Sequence, residues 1–190
     1  VVGVADDRLI ELSPGDWAVL GVIAEGSTHG FAVAQLLSPD GALGRIWTLP
    51  RPVVYQVIKK LTQMKLIEEK STERSDRGPK RTIVGITEAG RVAFRRWLDE
   101  PVDHVRDVRS MLLLKLALLD RFGGDLRPLI EAQRRRLVPV MAALDRSRRR
   151  AEGFERVLAE WRFASCQATI EFLDSIDGHS PRTLSPVTPT

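Results

Sequence analysis

Hydrophobic and polar positions are most regularly spaced between residues 51 and 87. Val54, Val57, Ile58, Leu61 and Met64 recur at three- and four-residue steps, which predicts a helix over 51–65 with one apolar stripe. Its other face carries Arg51, Tyr55, Gln56, Lys59, Lys60 and Gln63. After Leu66-Ile67 come two strand-like runs, 68–75 and 82–87, around Asp76-Arg77-Gly78-Pro79-Lys80-Arg81. Gly-Pro between such runs predicts a hairpin tip. A helix with a polar outer face followed at once by a basic-tipped hairpin predicts a winged helix.

The preceding pattern supplies a scaffold. Leu12-Ser13-Pro14-Gly15-Asp16-Trp17 reads as a helix start, with Ser13 as cap, Pro14 at the first helical position and Asp16 closing a short-armed capping box. Leu12 and Trp17 are spaced for a hydrophobic staple, and Gly26 ends the helix. A second short helix is expected from 27–30 onward, with apolar contacts from Phe31, Val33, Ala34, Leu36 and Leu37. It stops at Ser38-Pro39-Asp40-Gly41, and Ile46 to Pro50 lead into the 51–65 helix. Thr87 caps a further helix whose apolar face is Val92, Phe94, Trp97 and Leu98, ending at Glu100-Pro101.

Beyond this point the pattern is helical throughout. Residues 103–122 predict one helix with Val105, Val108, Met111, Leu112, Leu116 and Leu119 on one side. Gly123-Gly124 breaks it, Asp125 caps the next, and a stripe from Leu126 to Leu144 extends to about Arg150, with Pro139 expected to bend it or remove one backbone bond. Phe154, Leu158, Trp161, Ser165, Ala168 and Phe172 alternate steps of four and three, the spacing of a helix–helix seam. These helices have too few partners within one short chain, so a dimer through 103–177 is expected to cover them, an intramolecular bundle being the alternative. The ends, 1–11 and 178–190, read as flexible, the latter rich in Pro, Ser and Thr.

Composition changes this picture little; charge distribution changes it more. The 190 residues carry a formal net charge of only +4. Between Arg45 and Arg81 there are ten basic and four acidic residues, an excess larger than that of the whole chain. The single Cys166 excludes an intramolecular disulfide and a cysteine-cluster metal site, and fits a reducing cytoplasm. No apolar run approaches the roughly 20 residues that span a bilayer, and no secretion leader is expected.

Candidate chemistry is sparse. His29, His104 and His179 are scattered. No second ligand stands at metal spacing from His29, which reads as a structural histidine near a helix start. There is no Gly-rich phosphate loop, HExxH or nucleophile elbow, so no catalytic residue, metal or cofactor is expected. Arg134-Arg135-Arg136 and Arg146, Arg148, Arg149 and Arg150 read as a solvated helix face, with Glu131, Asp145 and Glu152 available for pairing, rather than as a second nucleic-acid patch. Trp97 and Trp161 are open to two readings, core or dimer packing and the walls of an aromatic-ligand pocket between dimer halves. Cys166 is expected to be buried on a helix seam, redox sensing being its alternative.

LSPGDWAVLGVIAEGSTHGFAVAQLL, LGRIWTLPRPVVYQVIKKLTQMKLIEE and RGPKRTIVGITEAGRVAFRRWLDEPV together resemble the PadR-like transcriptional regulators. Specific in combination are the early HG, the VYxxxxxL of the third helix, the RGPxR tip and the TxxG helix start. The resemblance covers 12–101 and extends into 103–177, which is similar to the C-terminal dimerisation domain of the longer, virulence-activator alpha type. It implies a mostly α fold: an N-terminal winged helix-turn-helix with a two-stranded wing, then an all-α dimerisation domain. It also implies a dimeric, cytoplasmic repressor on a palindromic operator of double-stranded DNA, with a small aromatic effector in some members. By that resemblance Tyr55 matches a DNA-contacting tyrosine, and Arg77, Lys80 and Arg81 match the basic wing tip.

The expected mechanism puts helix 51–65 in the major groove. Arg51, Tyr55, Gln56, Lys59 and Lys60 divide between base edges and phosphates, Gln56 being the candidate adenine reader. The wing, 74–82, lies on the backbone or in the minor groove. The competing class is a winged-helix module used only for protein contacts.

This sequence departs from the family pattern in places. Phe31 stands where Tyr is usual, which removes a hydroxyl but keeps the packing. Pro50 and Pro52 replace small polar residues at the third helix's start, Lys65 replaces Gly at its end, and Val84-Gly85 replaces an aromatic in the second wing strand.

Overall fold

A computed structural model describes residues 12–73 and 81–176, so the expectations for 1–11, 74–80 and 177–190 lie outside the described residues. The fold is mostly α. Its elements in chain order are α1 (Pro14–Glu25), β1 (Thr28–His29), α2 (Gly30–Leu36), α3 (Arg51–Gln63), β2 (Ile67–Glu73), β3 (Arg81–Ile86), α4 (Glu88–Asp99), α5 (Leu113–Arg121), α6 (Arg127–Arg150) and α7 (Gly153–Ile176). A 3-10 turn (Val105–Asp107) and a π-helical turn (Val108–Leu112) precede α5. The described residues form two compact units, divided between Arg95 and Arg96.

In the first unit, α1 is apolar on every side from Trp17 to Ala24 and is buried from Gly15 to Ile23. It packs against α2, α3 and β3. Its start is the capping box that the sequence predicts: the Asp16 N–H donates to Ser13 Oγ (3.2 Å) and the Ser13 N–H to Asp16 Oδ2 (2.8 Å). α3 buries Val54, Val57 and Leu61, with Ile58 half-buried. Met64, expected on the same stripe, is 39% exposed because the helix ends at Gln63 and the chain turns before Met64 can face inward. That turn sets Lys65 at φ 58°, the left-handed conformation that glycine adopts without strain. Lys65→Gly is therefore expected to raise the unfolding free energy by about 1 kcal/mol, read from urea midpoints at unchanged slope.

The sheet is antiparallel in the order β1-β3-β2. The two wing strands thus gain a third, β1, where the sequence predicts the opening of a helix. Thr28 pairs with Val84 and His29 with Ile83. A two-residue strand shows no periodicity; only its partner reveals it. His29 then caps α2, its Nδ1 accepting the Ala32 N–H (3.2 Å), the structural role expected of it.

Lys70 is the extra residue of a bulge in β2. Its methylenes lie over Gly85, where an added Cβ would meet Lys70 Cε at 2.9 Å. A lysine stem therefore fills the space beside Gly85. Thr87 closes the hairpin: its Oγ1 accepts the Gly90 N–H (3.0 Å) and lies 2.8 Å from the Lys65 carbonyl, to which it donates. A Cβ at Gly90 would lie 2.0 Å from the Leu66 carbonyl oxygen, which accounts for the TxxG motif. On α4, Phe94, Trp97 and Leu98 are buried, whereas Val92 is 57% exposed and lies off the apolar face assigned to it.

The second unit centres on Val102, Leu112, Leu116, Leu129, Ile130, Leu137, Cys166 and Leu173. The single helix predicted over 103–122 is broken into a 3-10 turn, a π turn and α5. The change in winding rotates the face presented to the core, a shift that a constant 3.6-residue pattern cannot reveal. Gln133 is fully buried and clamps the Val102 peptide, donating to its C=O (2.9 Å) and accepting from its N–H (2.7 Å). Lys115 is also buried; its ammonium donates to the carbonyls of Trp97 and Glu100, both at 2.5 Å, and sits 4.8 Å from the Trp97 ring centre. Burial pulls the Lys115 pKa down to about 8 against the pull of Glu100, Asp99 and Asp103. α6 runs unbroken through Pro139, which lies on its exposed side.

Candidate nucleic-acid interface

The outer face of α3 is built by elimination: with Val54, Val57 and Leu61 turned into the core, helical geometry turns Arg51, Tyr55, Gln56, Lys59, Lys60 and Gln63 outward, and all six are exposed. Between this face and the sheet lies a concave surface of about 680 Å³, lined by Arg51, Tyr55 and Lys59 from α3 and by Arg81 from β3. Glu69 is the single acid among its lining residues. Among the described residues no carboxylate pairs with Arg51, Lys59 or Arg81. Three cations, a phenol and the Gln63 carboxamide facing one groove form a surface suited to a polyanion with hydrogen-bonding edges. Arg77 and Lys80 lie outside the described residues.

Tyr55 is held, not loose. Its ring lies against the backbone of Gly30, where a Cβ would approach Tyr55 Cε1 to 2.7 Å. The HG pair therefore works as a unit, His29 capping α2 and Gly30 leaving room for the tyrosine. Above the ring, the Arg51 guanidinium lies 5.8 Å from the Tyr55 centroid and 5.0 Å from that of Phe31.

Phe31 is the residue whose role the sequence reading misses. The apolar pattern places it in packing, but it is 48% exposed, because α2 buries Gly30, Val33 and Ala34 and Phe31 falls on the other side. The signal available in the sequence was its adjacency to Gly30, one helical step off the buried stripe.

Lys60 differs from its neighbours. Its ammonium donates to Asp16 Oδ2 at 2.5 Å, and Asp16 is only 3% exposed. Burial pushes the Asp16 carboxyl up, but the Lys60 ammonium and the Ser13 donors outweigh it and hold the pKa below the ordinary value. Lys60 thus ties α3 to the cap of α1 across 44 positions of sequence.

Within one chain the two tryptophans have different surroundings. Trp97 is buried under Lys115, whereas Trp161 is 70% exposed beside a groove of about 610 Å³ that Trp97 does not line. Cys166 is fully buried, and burial raises its pKa, which opposes thiolate chemistry. The arginines of α6 are largely paired: Arg134 with Asp174, Arg136 with Asp103, Arg148 with Asp145 and Glu160, and Arg149 with Asp145. This matches the reading of a solvated, ion-paired helix face. Among the described residues no helix is long and apolar enough to cross a membrane.

Residues 19–96, which carry α3, the sheet and the capped start of α4, match the model of the transcriptional regulator PadR-like family. Residues 19–96 are thus a PadR-like segment. The segment is of the kind found in transcriptional regulators. Among solved structures, the chain is similar to Bacillus subtilis PadR in complex with operator DNA, at 19% identity, covering 86% of this chain and 97% of that one, TM-score 0.44. It is similar to the same protein in complex with p-coumaric acid, at 17% identity over 86% and 96% of the two chains, TM-score 0.42. The PadR-like regulator BC1756 from Bacillus cereus matches at 20% identity over 85% and 94%, TM-score 0.38. No curated protein matches the chain significantly.

Proposed function

We propose that the PadR-like domain, 12–101, binds double-stranded operator DNA, and that 103–177 pairs two chains, giving a cytoplasmic homodimeric repressor on a palindromic site. The observation that carries the DNA reading is the concave cationic surface shared by α3 and β3 and free of carboxylate partners among the described residues. In this reading α3 lies in the major groove with Arg51, Tyr55, Gln56 and Lys59 turned to the duplex, and Gln56 reads adenine. Arg81, with Arg77 and Lys80 of the tip, lies on the backbone or in the minor groove. Lys60 is a positioning residue rather than a contact, because Asp16 holds its ammonium.

The dimer reading is supported by α7. Ala159, Cys166, Thr169 and Leu173 are its inward residues and Phe172 packs beside them, yet Phe154, Trp161 and Ala168 of the seam are exposed, with Leu158 and Ser165 half-buried between them. Phe154 and Trp161 are 77% and 70% exposed. A second helix of the same kind covers such a seam. For a small aromatic effector, Trp161 and its groove are the better-placed candidates; Trp97, already packed by Lys115, is not one.

The test is a mobility shift on the DNA upstream of this protein's own gene, with Tyr55→Ala, Gln56→Ala and Arg81→Ala beside wild type. Tyr55→Ala and Gln56→Ala are expected to cost about 1–3 kcal/mol, the latter relaxing preference at one adenine. Arg81→Ala is expected to weaken all duplexes alike. Equal affinity for wild type and all three variants would remove α3 and β3 from the interface.

A further inference from the structure

Arg51 differs in its surroundings from the arginines of α6. Arg134, Arg135, Arg136, Arg148 and Arg149 there meet carboxylates, Arg148 while also lying over Phe163, whereas Arg51 lies over two aromatic faces, 5.0 Å from Phe31 and 5.8 Å from Tyr55, with no carboxylate partner among the described residues. It is the first residue of α3 and lines the concave surface together with both rings. We propose that Arg51 reads a guanine in the major groove and that Phe31 is the residue that positions it. This rests on the DNA-binding reading above and deepens it.

The argument is one of shape. A guanidinium offers two parallel N–H donors in a plane, and guanine alone among the bases presents two adjacent acceptors, O6 and N7, in the major groove. The pairing demands that the plane be correctly oriented. Rings on α2 and α3 restrict that plane before DNA arrives, so less freedom is lost on binding. Tyr55 is itself fixed against Gly30, and His29 stacks beside Phe31 at 6.4 Å with its Nδ1 committed to the α2 cap. The row His29–Phe31–Arg51–Tyr55 thus runs from a capped helix start to the reading head. In a helix-turn-helix the N-terminal residues of the inserted helix face base edges, and Arg51 stands there. Lysine, a point charge on a flexible stem, reproduces the charge and not the fork.

The experiment is selection from a randomised duplex pool by full-length wild type, Arg51→Lys, Arg51→Ala, Phe31→Tyr and Phe31→Leu. Dissociation constants are then measured for the selected site and its single-base variants. Wild type is expected to prefer guanine at one position of each half-site by about 5- to 150-fold. Both Arg51 variants should lose that preference and keep the others. Phe31→Tyr should retain it, and Phe31→Leu should reduce it to an intermediate value with an unchanged melting temperature.

If Arg51→Ala instead weakens every duplex equally, with base preferences intact and a shallower salt slope, Arg51 is a phosphate contact and the proposal fails. If Phe31→Leu selects as wild type does, Phe31 positions nothing. A wild type that enriches no duplex overturns the DNA-binding reading itself, an outcome distinct from either of these.

Discussion

A Phe154→Glu/Trp161→Glu double variant is expected to be a folded monomer that binds a full operator about 100-fold or more weakly than wild type while keeping its affinity for a single half-site. Both residues are mostly exposed, so the substitutions leave the core of the unit intact. They place like charges on the seam that a partner copy must cover, which disfavours the dimer by desolvation as well as repulsion. The loss on a two-fold site is large because the second half-site is then no longer engaged intramolecularly. Sedimentation velocity gives the mass, and titration of full and half operators gives the affinities. A double variant that stays dimeric with full operator affinity would place the interface elsewhere; one that loses half-site binding too would show a folding defect instead.

Asp16→Ala is expected to destabilise the first unit by about 2 kcal/mol, although Asp16 lies in the core rather than in the concave surface. The substitution removes the acceptor of the Ser13 N–H and the carboxylate that holds Lys60. The pH dependence has a definite sign. Because the folded-state pKa lies below the ordinary 3.8, the stabilisation is complete above that value and is lost as the pH falls through the lower folded pKa. Urea denaturation at pH 7 and pH 3 should therefore show wild type losing more stability to acid than Asp16→Ala does. Lys60→Met should share the instability but retain the wild-type base preferences in the randomised-pool selection. A Lys60→Met protein of wild-type stability and altered base preference would return Lys60 to the DNA contacts.

The sequence was informative wherever a local rule decides. The α3 stripe apart from Met64, the Ser13–Asp16 box, the Thr87 cap and the buried Cys166 follow from spacing within a few residues, and each appears in the structure, while the left-handed turn at Lys65 follows from the resemblance, which puts Gly there. It was less informative wherever a distant partner decides. Thr28–His29 is a strand only because β3 lies beside it. Lys60 looks like its neighbour Lys59 until Asp16 reaches it. Phe31 looks like core until α2 is seen to bury its other side. The π turn before α5 has no counterpart in a fixed helical period. The basic character of the α3–β3 surface was therefore legible, while the different surroundings of its residues depended on contacts between elements.

The most direct test is the salt dependence of wild-type binding to the duplex upstream of its own gene. A dimer that places Lys59, Arg81 and the wing tips against phosphates should lose affinity log-linearly with salt, with a slope of about −5 to −9, and should retain a preference for that duplex over scrambled DNA across the series. A flat dependence, or no binding to any duplex at low salt, would contradict the account and leave a winged helix that serves protein contacts alone.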